Sequence, residues 1–491
     1  MSAQESAAQP AAGAVPPESL ESPPVRFRLI PVLMSAAAAV AVELIPFPGL
    51  APAAHRTLVI LTAVAGLWMT EALPVAVTAL LVPVLGIALG VAEARAAFAG
   101  FGDPIVFLFF GTFLLTAAAD QHGLVARLTA SVLGSEMLRR HPARLLWAMA
   151  FLGCGLSAWM NNTATTAMLL PLALTAERLG SRKLTIAVLL MCAYAPSLGG
   201  FATPVGTAPN LIGLRLLEQA TGHRPSFARW CLVCAPLAVL ATVLTALWLR
   251  RGSKAARAPA DTAIVAPRGP WSLAERILVP LFVVVVLLWI APGILAGTPL
   301  QGAAWLKAWQ ARLPEPAVPM VGALALFLLP SGAPGGARIL EIGVLRRIDW
   351  STLLIFGGGL SLGAMMFESG LARALGEGIF RAMPFGGTYG IVLAATLMAV
   401  LVSEMTSNTA SASLVIPVVL ALAQAAGVDP VKPTLAATVA CSFGFMLPVS
   451  TPPNALVFAT GRVRIREMIA YGILLDVAGV FLVSAWATLF A

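Results

Sequence analysis

Long runs of apolar residues, separated by short polar stretches, make up most of the chain. A helix of about 20 apolar residues crosses the roughly 30 Å hydrocarbon core of a bilayer. At that length the pattern predicts an all-α polytopic membrane protein with about eleven transmembrane helices. Their approximate ranges are 29–46, 57–72, 74–91, 103–120, 183–216, 229–249, 276–296, 317–332, 350–367, 433–460 and 468–490.

Two further apolar stretches, 143–175 and 386–426, are interrupted near the middle by polar residues. Irregular backbone inside a membrane is tolerated where protein or a cavity surrounds it. We therefore interpret each stretch as a re-entrant helical hairpin, which enters and leaves the bilayer on the same side.

The composition also indicates a membrane protein, because 59% of the 491 residues are hydrophobic and only 11% are charged. A soluble domain carries about 25% charged residues. The net charge of +9 comes from Lys and Arg residues that are scattered between the apolar runs. A nucleic-acid partner would need a concentrated basic face, so none is predicted. The four His and five Cys residues are dispersed, which argues against a metal centre or a disulfide framework.

The polar segments predict how the chain is oriented. Residues 1–25 are rich in Ala, Ser, Pro and Glu and predict a disordered cytoplasmic tail, which the first transmembrane helix follows within 26–55. With the N-terminus in the cytoplasm, most Lys and Arg residues fall on the cytoplasmic side, as the positive-inside rule requires. An odd number of crossings then places the C-terminus outside, in a multi-pass protein of the cell (inner) membrane.

The chain contains an internal repeat. The segment SAWMNNTATTAMLLP at 157–171 resembles SEMTSNTASASLVIP at 403–417. Further along, TPVGTAPN at 203–210 pairs with LPVSTPPN at 447–454, and the separation is almost the same. Matches that occur in the same order with nearly constant spacing indicate a duplication.

The duplication divides most of the chain into two units of the same design. The first is 56–250, with the hairpin 143–175 and an unwound helix in 183–216; the second is 276–491, with the hairpin 386–426 and an unwound helix in 433–460. A basic, Pro- and Ala-rich cytoplasmic linker, 251–275, joins them. Each unit has an odd number of predicted crossings, so the two repeats should have inverted topology. Transporters of this design bind their ligands at the repeat interface, near the middle of the membrane.

The polar motifs at the hairpin tips and in the unwound segments suit the binding of small ions. Asn and Thr at a tip can cap the returning helix, because their oxygens accept hydrogen bonds from free backbone N–H groups. The helix N-terminus then offers further N–H donors and a partial positive charge, which favour an anion. Prolines in 203–210 and 447–454 remove intrahelical hydrogen bonds. Both segments should therefore unwind and expose carbonyl oxygens that can face a hard cation such as Na⁺.

No Lys or Arg lies in either hairpin tip or in either unwound segment. Helix termini supply only fractional charge, so a bound dianion would favour bound cations beside it. This points to cation-coupled symport. Two carboxylates in the membrane, Glu404 beside the second tip and Asp476 in the last predicted helix, could carry protons or help to hold a cation.

At these motifs the sequence resembles the divalent anion:sodium symporter (DASS) family, to which sodium/dicarboxylate cotransporters belong. WMTEALP from Trp68, FLFFGTF from Phe107 and LLIFGGG from Leu353 are also similar to that family, and the resemblance covers the chain from the second predicted helix to the end. It implies a secondary active transporter and not an enzyme. The expected activity is sodium-coupled symport of a small divalent anion, such as the C4-dicarboxylate succinate, by a homodimer with an elevator-type alternating-access motion. Na⁺ would be the coupling ion, and no organic cofactor is expected.

The resemblance also implies the residues of the site. Those expected to contact the substrate are Asn162, Thr163, Asn408, Thr409, Thr207, Thr451 and Pro452. Those expected to form the two sodium sites are Ser157, Asn161, Asn162 and Gly206 in the first, and Ser403, Thr406, Asn408 and Ser450 in the second. The sequence departs from the family pattern at Asn161, where Ser is usual, and at Ala208, where Pro is usual. Both departures concern the cation geometry and the substrate choice of the first half-site.

Other functions are open on the sequence alone. An arsenite-type permease, driven by protons or by a partner ATPase, would share the broken helices but would prefer a neutral solute. A sulfate or citrate symporter would share the anion site, and an anion channel would show no concentrative uptake. A membrane-embedded enzyme would need a nucleophile with a base, or a metal cluster, and the dispersed His and Cys residues provide neither.

Overall fold

The computed structural model describes residues 28–133, 144–179, 181–251, 269–383 and 386–490. The predicted tail, 1–25, lies outside these residues, as does most of the predicted linker, 251–275. Within the described ranges the regular structure is helical, apart from an isolated β-bridge between Pro330 and Arg338. The all-α fold class is therefore confirmed.

The helices are numbered here in chain order. Those of the first half are α1 (Leu29–Leu44), α2 (Pro52–Thr70), α3 (Val75–Ala88), α4 (Ala94–Ala97), α5 (Pro104–Gln121), α6 (Leu124–Leu133), α7 (Leu145–Ser157), α8 (Asn162–Leu174), α9 (Arg182–Gly200), α10 (Ala208–Thr221) and α11 (Phe227–Arg250). Those of the second half are α12 (Leu273–Ala296), α13 (Ala304–Arg312), α14 (Ala317–Leu326), α15 (Trp350–Glu368), α16 (Leu371–Ala382), α17 (Gly387–Met405), α18 (Asn408–Ala425), α19 (Val431–Ala440), α20 (Pro452–Ala459) and α21 (Ile465–Phe490). Short 3-10 helices lie at Ala99–Gly102, Thr175–Leu179, Pro299–Gly302 and Ile342–Arg347.

Nine helices in the described part of the chain are long and apolar enough to cross a membrane. They are α2, the segment Ala94–Gln121, α9, α11, α12, α15, α17, α18 and α21. The predicted crossings at 29–46, 74–91 and 317–332 correspond to the shorter apolar helices α1, α3 and α14. The predicted crossing at 433–460 is divided between α19 and α20. The number of crossings and the inverted topology stay predictions.

The segments predicted to unwind, 203–210 and 447–454, each begin in a break between helices and end in the first turn of the next helix. Residues 201–207 separate α9 from α10, and we call them the first break; residues 441–451 separate α19 from α20, and we call them the second break. The helices that follow have a proline in the first turn, Pro209 in α10 and Pro452 in α20. Proline is favoured there because its missing N–H would have no intrahelical partner.

Each predicted hairpin consists of two helices joined by a short turn. We call residues 157–163, between α7 and α8, the first tip, and residues 403–409, between α17 and α18, the second tip. The arms of the first hairpin have 13 residues each, whereas those of the second have 19 and 18 and are long enough to span a membrane. The re-entrant course of both hairpins therefore stays a prediction.

The tips and breaks lie among helices that are buried in the protein. Every residue of α9 from Leu184 to Gly200 is buried, whereas only 17% of the most apolar window of α12 is buried. The two breaks also contact each other. The rings of Phe201 and Phe443 stack with centroids 5.9 Å apart. This position gives the broken backbone the protein surroundings that it needs in a membrane.

Candidate functional site

The first tip begins α8 with an asparagine cap. Oδ1 of Asn161 accepts a hydrogen bond of 2.7 Å from the backbone N–H of Thr163, which satisfies one of the free donors at the helix N-terminus. The hydroxyl of Ser157 donates to Oδ1 of Asn162 over 2.6 Å. The tip thus brings the side chains of Ser157 and Asn162 together directly beside a helix N-terminus.

The second tip repeats this arrangement. Oγ of Ser407 accepts a hydrogen bond of 3.3 Å from the backbone N–H of Ala410 and caps α18. Oγ of Ser403 lies 3.0 Å from Oδ1 of Asn408 and 2.7 Å from the carbonyl oxygen of Cys441 in the second break. A hydroxyl has one proton to donate, and a carbonyl oxygen has none. Three oxygens therefore converge with a single proton among them, which is an arrangement that suits a hard cation.

Two glycines, Gly206 in the first break and Gly200 at the end of α9, lie against the first tip. A Cβ at Gly206 would lie 2.4 Å from the carbonyl oxygen of Gly200 and 2.8 Å from that of Ser157. A Cβ at Gly200 would lie 2.7 Å from Oδ1 of Asn162 and 3.1 Å from Cβ of Thr207. The neighbours of Gly206 are backbone atoms, so this position requires glycine, whereas a side chain at Gly200 would displace the side chain of Asn162. Ser157, Asn162, Gly206 and Thr207, all predicted for the site, are therefore neighbours.

The second break contacts the second tip in a similar way. A Cβ at Gly444 would lie 3.1 Å from Cβ of Ser450 and 3.4 Å from Oγ of Ser403. The hydroxyl of Ser450 donates to Oε2 of Glu404 over 2.7 Å, and Oε1 of Glu404 accepts from the backbone N–H of Met446 over 2.8 Å. The structure thus brings Ser403, Ser450 and the buried Glu404 together.

Two predicted sodium ligands make contacts outside these clusters. Nδ2 of Asn161 donates to Oδ2 of Asp349 over 3.1 Å, and Asp349 caps α15 by accepting from the backbone N–H of Thr352. The hydroxyl of Thr406 donates to the carbonyl oxygen of Trp68 over 3.3 Å. Asn161 and Thr406 therefore connect the two tips to α15 and α2. Their role as sodium ligands stays a prediction.

The residues predicted to contact substrate differ in accessibility. Five are half-buried at the tips and the first break: Asn162, Thr163, Thr207, Asn408 and Thr409. Thr451 is buried and caps α20 by accepting from the backbone N–H of Asn454, while Pro452 is exposed. The tips therefore combine partly accessible polar groups with buried oxygens behind them.

Two asparagines that the sequence analysis assigned no role hold the breaks in shape. Asn210 and Asn454 are fully buried, and each donates from Nδ2 to two carbonyl oxygens that lie in its break or directly before it. The acceptors are those of Gly200 at 2.9 Å and Thr203 at 2.8 Å for Asn210, and those of Gly444 at 2.9 Å and Leu447 at 3.0 Å for Asn454. This role could have been predicted from the sequence, because both asparagines occupy the last position of the repeated motifs TPVGTAPN and LPVSTPPN.

A cavity of about 790 Å³ lies between α11 and α12, and its lining includes no residue of the tips or breaks. Side chains such as Leu232, Val239 and Ile290 make its lining apolar. Small-molecule sites combine apolar walls with a few polar groups that orient the ligand. The described residues that line this cavity offer almost no polar surface, so it is not a candidate for binding ions.

Comparison with known proteins gives relatives over nearly the whole chain. The family described as "sodium:sulfate symporter transmembrane region" matches residues 27–491. A Haemophilus influenzae protein named "uncharacterized transporter" is 32% identical over 460 residues, which are 92% of this chain and 94% of that protein. The sodium-dependent dicarboxylate transporter SdcS of Staphylococcus saprophyticus is 29% identical over 428 residues, which are 82% of this chain and 80% of that protein.

A solved structure has a similar fold. The crystal structure of the Alcanivorax borkumensis YdaH transporter, described as having an unusual topology, is similar with a TM-score of 0.55 and 18% sequence identity. The similarity covers 79% of this chain and 86% of that one. The family match and the full-length relatives confirm the resemblance found in the motifs: the chain belongs to the divalent anion:sodium symporter family, whose members are membrane transporters and not enzymes.

Proposed function

We propose that the protein is a secondary active transporter that couples the symport of a C4-dicarboxylate, such as succinate, to Na⁺. The main support for this proposal is a serine–asparagine pair that occurs at both tips, each time beside a broken helix. The pairs are Ser157 with Asn162 and Ser403 with Asn408. The similarity to SdcS, named a sodium-dependent dicarboxylate transporter, supports the ion and the substrate class.

Each tip has one side that suits a cation and another that suits the anion. The buried side of each tip offers serine hydroxyl, asparagine carbonyl and backbone carbonyl oxygens, which suit Na⁺. The half-buried side offers Asn and Thr side chains at a helix N-terminus, whose dipole favours a carboxylate. The proposed substrate residues are Asn162, Thr163, Thr207, Asn408, Thr409, Thr451 and Pro452. The proposed sodium ligands are Ser157, Asn161, Asn162 and Gly206 at the first tip, and Ser403, Thr406, Asn408 and Ser450 at the second.

Bound sodium ions would supply the positive charge that a dianion needs at the tips. In the described part of the chain, the charged side chains that hydrogen-bond to tip residues or form part of a tip are the carboxylates Asp349 and Glu404. A dianion placed beside them would be repelled unless cations bind first. Each Na⁺ at a tip therefore raises the affinity for substrate. By linkage, bound substrate raises the affinity for Na⁺ to the same degree.

We propose an elevator motion in which the hairpins and the broken helices move as one body. They pack on one another, α9 against α7 and α8, and α18 against α17 and α19. The contacts of Asn161 with Asp349 and of Thr406 with Trp68 would then have to break when the body moves past α15 and α2. A homodimer would hold the remaining helices fixed in the bilayer.

The proposed topology has inverted repeats, with the N-terminus in the cytoplasm and the C-terminus outside the cell membrane. Single cysteines at position 260, which lies in the linker outside the described residues, and at the C-terminus of a Cys-free variant should be labelled from opposite sides. Labelling of both by an impermeant reagent in intact cells would refute this arrangement.

Uptake into liposomes tests the function directly. With an inward Na⁺ gradient, the purified protein should concentrate succinate, whereas a proton gradient alone should not drive uptake. Transport should generate a membrane potential if more than two Na⁺ accompany each dianion. Uptake that ignores Na⁺ and follows only the proton gradient would contradict the proposed sodium coupling.

A sulfate symporter is the second candidate, because the matching family is described by sodium:sulfate symport. Competition of sulfate, citrate and arsenite with labelled succinate would rank the anions. If sulfate competes more strongly than succinate, the site is built for the tetrahedral dianion instead.

A further inference from the structure

Asp476 is a buried carboxylate that the proposed tip sites do not use. It lies in the middle of α21 and is only 3% exposed. Among the described residues, neither of its carboxylate oxygens has a hydrogen-bond partner. Buried polar groups are almost always hydrogen-bonded, and a buried charge needs a partner of opposite charge. The carboxyl group of Asp476 therefore needs either a proton or a bound cation.

The face of α21 that carries Asp476 lies against the second break. One turn before it, a Cβ at Gly472 would lie 2.4 Å from the carbonyl oxygen of Phe445. One turn after it, a Cβ at Gly479 would lie 2.4 Å from the ring of Phe443. Residues three and four apart share a face of a helix. Asp476 is therefore directed at the same segment of the second break.

Glu404 contacts this segment as well. It is 4% exposed, and its two oxygens accept hydrogen bonds from the backbone N–H of Met446 and the hydroxyl of Ser450. The carboxyl groups of Glu404 and Asp476 interact electrostatically with each other. Two like charges in a buried setting repel each other and lose their hydration, so the pair needs a positive charge.

The basic side chains near α21 lie at helix ends. The helices packed against it are α11, α17 and α19. Lys432 of α19 donates to the carbonyl oxygen of Thr488, close to the end of α21, and Arg229 and Arg250 lie in the first and last turns of α11. Within the described residues, the charged group that acts on Asp476 is Glu404 and not a lysine or an arginine. The balancing charge must therefore come from a bound cation or from a proton.

The oxygens around the pair suit a metal cation. A proton shared by two carboxyl groups joins two oxygens in one short hydrogen bond, whereas a hard cation is bound by several oxygens at about 2.3–2.6 Å from the ion. Besides the two carboxylates, the hydroxyl of Ser450 and the carbonyl oxygen of Phe445 lie at this segment of the second break. The reversal potential described below decides between a sodium ion and a shared proton.

We propose that Asp476 and Glu404 form a separate cation site that binds a sodium ion, next to the sodium site of the second tip. The inference rests on the proposed function, because the bound ion would be carried through the symport cycle. Each cycle would then move one more sodium ion than the two tip sites account for. Ser450 links the two neighbouring sites, since its hydroxyl bonds to Glu404 and its Cβ lies against Gly444.

The first test needs no substrate and therefore does not depend on which anion is transported. The melting temperature of the purified full-length protein is measured at increasing NaCl, with choline chloride keeping the ionic strength constant. A ligand that binds only the folded state raises this temperature. Asp476→Asn should raise the melting temperature in choline, because it removes an unbalanced charge. The same variant should lose roughly a third of the rise caused by Na⁺, if three sites of similar affinity contribute.

Ser484→Ala is the matched control, because Ser484 is another buried side chain on α21 whose hydroxyl has no hydrogen-bond partner among the described residues. It should keep the full rise caused by Na⁺. An undiminished rise in Asp476→Asn would overturn the proposal, whether or not the protein transports dicarboxylates.

The second test uses the wild-type protein and therefore works even if Asp476→Asn does not fold. The reversal potential of succinate transport in liposomes gives the number of sodium ions per substrate. The expected number is three, and Asp476→Asn should lower it by one. A wild-type reversal potential that shifts with an imposed pH gradient would show that the pair carries a proton, and would overturn the sodium assignment. A protein without sodium-driven succinate uptake would instead refute the proposed function, while the melting experiment would still decide on the cation site.

Discussion

The two tips have the same core but different surroundings. Both use a polar residue to cap the returning helix, and both place a serine hydroxyl against the following asparagine, at 2.6 Å in the first tip and 3.0 Å in the second. Around this core, Asn161 of the first tip bonds to Asp349 on α15. In the second tip, Glu404 bonds to Met446 and Ser450 of the second break.

The features that both tips share and the features that differ between them point to different roles. The shared serine–asparagine pair is what an ion site at each tip requires. The acidic partner of the first tip, Asp349, belongs to a helix outside the hairpins and breaks, so in the proposed elevator motion it would affect how the tip moves. The acidic partner of the second tip, Glu404, belongs to the tip itself and would move with it, so it would affect which ions are carried.

The largest expected effect comes from the asparagines that both tips share. Asn162→Ala and Asn408→Ala should each abolish transport, because each removes an oxygen from a sodium site and a donor from the anion. A hydrogen bond to a charged group is worth about 1.5–3 kcal/mol, so losing both roles should lower the apparent affinities by roughly two orders of magnitude. Succinate uptake across a Na⁺ titration measures this.

Both variants should remain folded, with the same elution profile as the wild type in size-exclusion chromatography. If one of them transports normally, the two tips are not equivalent and the ions bind at the other tip.

Substitution of the glycines that lie against the two tips should affect the first tip more strongly than the second. In Gly200→Ala, the new Cβ would lie 2.7 Å from Oδ1 of Asn162, whereas in Gly444→Ala the nearest atom would be Cβ of Ser450 at 3.1 Å. Overpacking of this kind costs about 1–3 kcal/mol, and about 1.4 kcal/mol corresponds to tenfold in affinity. Gly200→Ala should therefore weaken the apparent Na⁺ affinity about tenfold, and Gly444→Ala less.

Gly155→Ala serves as the control, since a Cβ at that position in α7 has no neighbour within 4 Å in the described structure. An equal or larger loss in Gly444→Ala would mean that the second site is the tighter one.

The elements that local rules govern were predictable from the sequence. Prolines located both breaks, and capping residues located the start of α8 and α18, because each of these effects acts within one helical turn. The partner of Asn161 was not predictable, since Asp349 lies 188 residues away and no local pattern connects the two. The contact of Thr406 with Trp68 was missed for the same reason, as the two residues are 338 positions apart.

The exchange of the two capping residues should have a moderate effect that differs between the tips. Asn161→Ser keeps a capping oxygen, so transport should persist with a changed Na⁺ affinity or substrate ranking. Ser407→Asn should be more harmful, because it adds an N–H₂ group where, among the described residues, the side chain of Ser407 has only its bond to the Ala410 N–H. Uptake of succinate, citrate and sulfate at several Na⁺ concentrations would compare the variants. Equal effects would show that the surroundings of the two tips are interchangeable.

The smallest effect tests why Asn161 differs from the usual serine. Asp349→Ser keeps a capping oxygen for α15 and removes the Oδ2 that Asn161 contacts at 3.1 Å. Hydrogen bonds between membrane helices average about 0.6 kcal/mol, so Asn161→Ser and Asp349→Ser should each shift the apparent Na⁺ affinity by about threefold. If Asn161 acts through Asp349, the double variant should show the same shift as either single variant, because the interaction can be lost only once. If Asn161 is instead a sodium ligand, the two shifts should add, and the bond to Asp349 would have no part in transport.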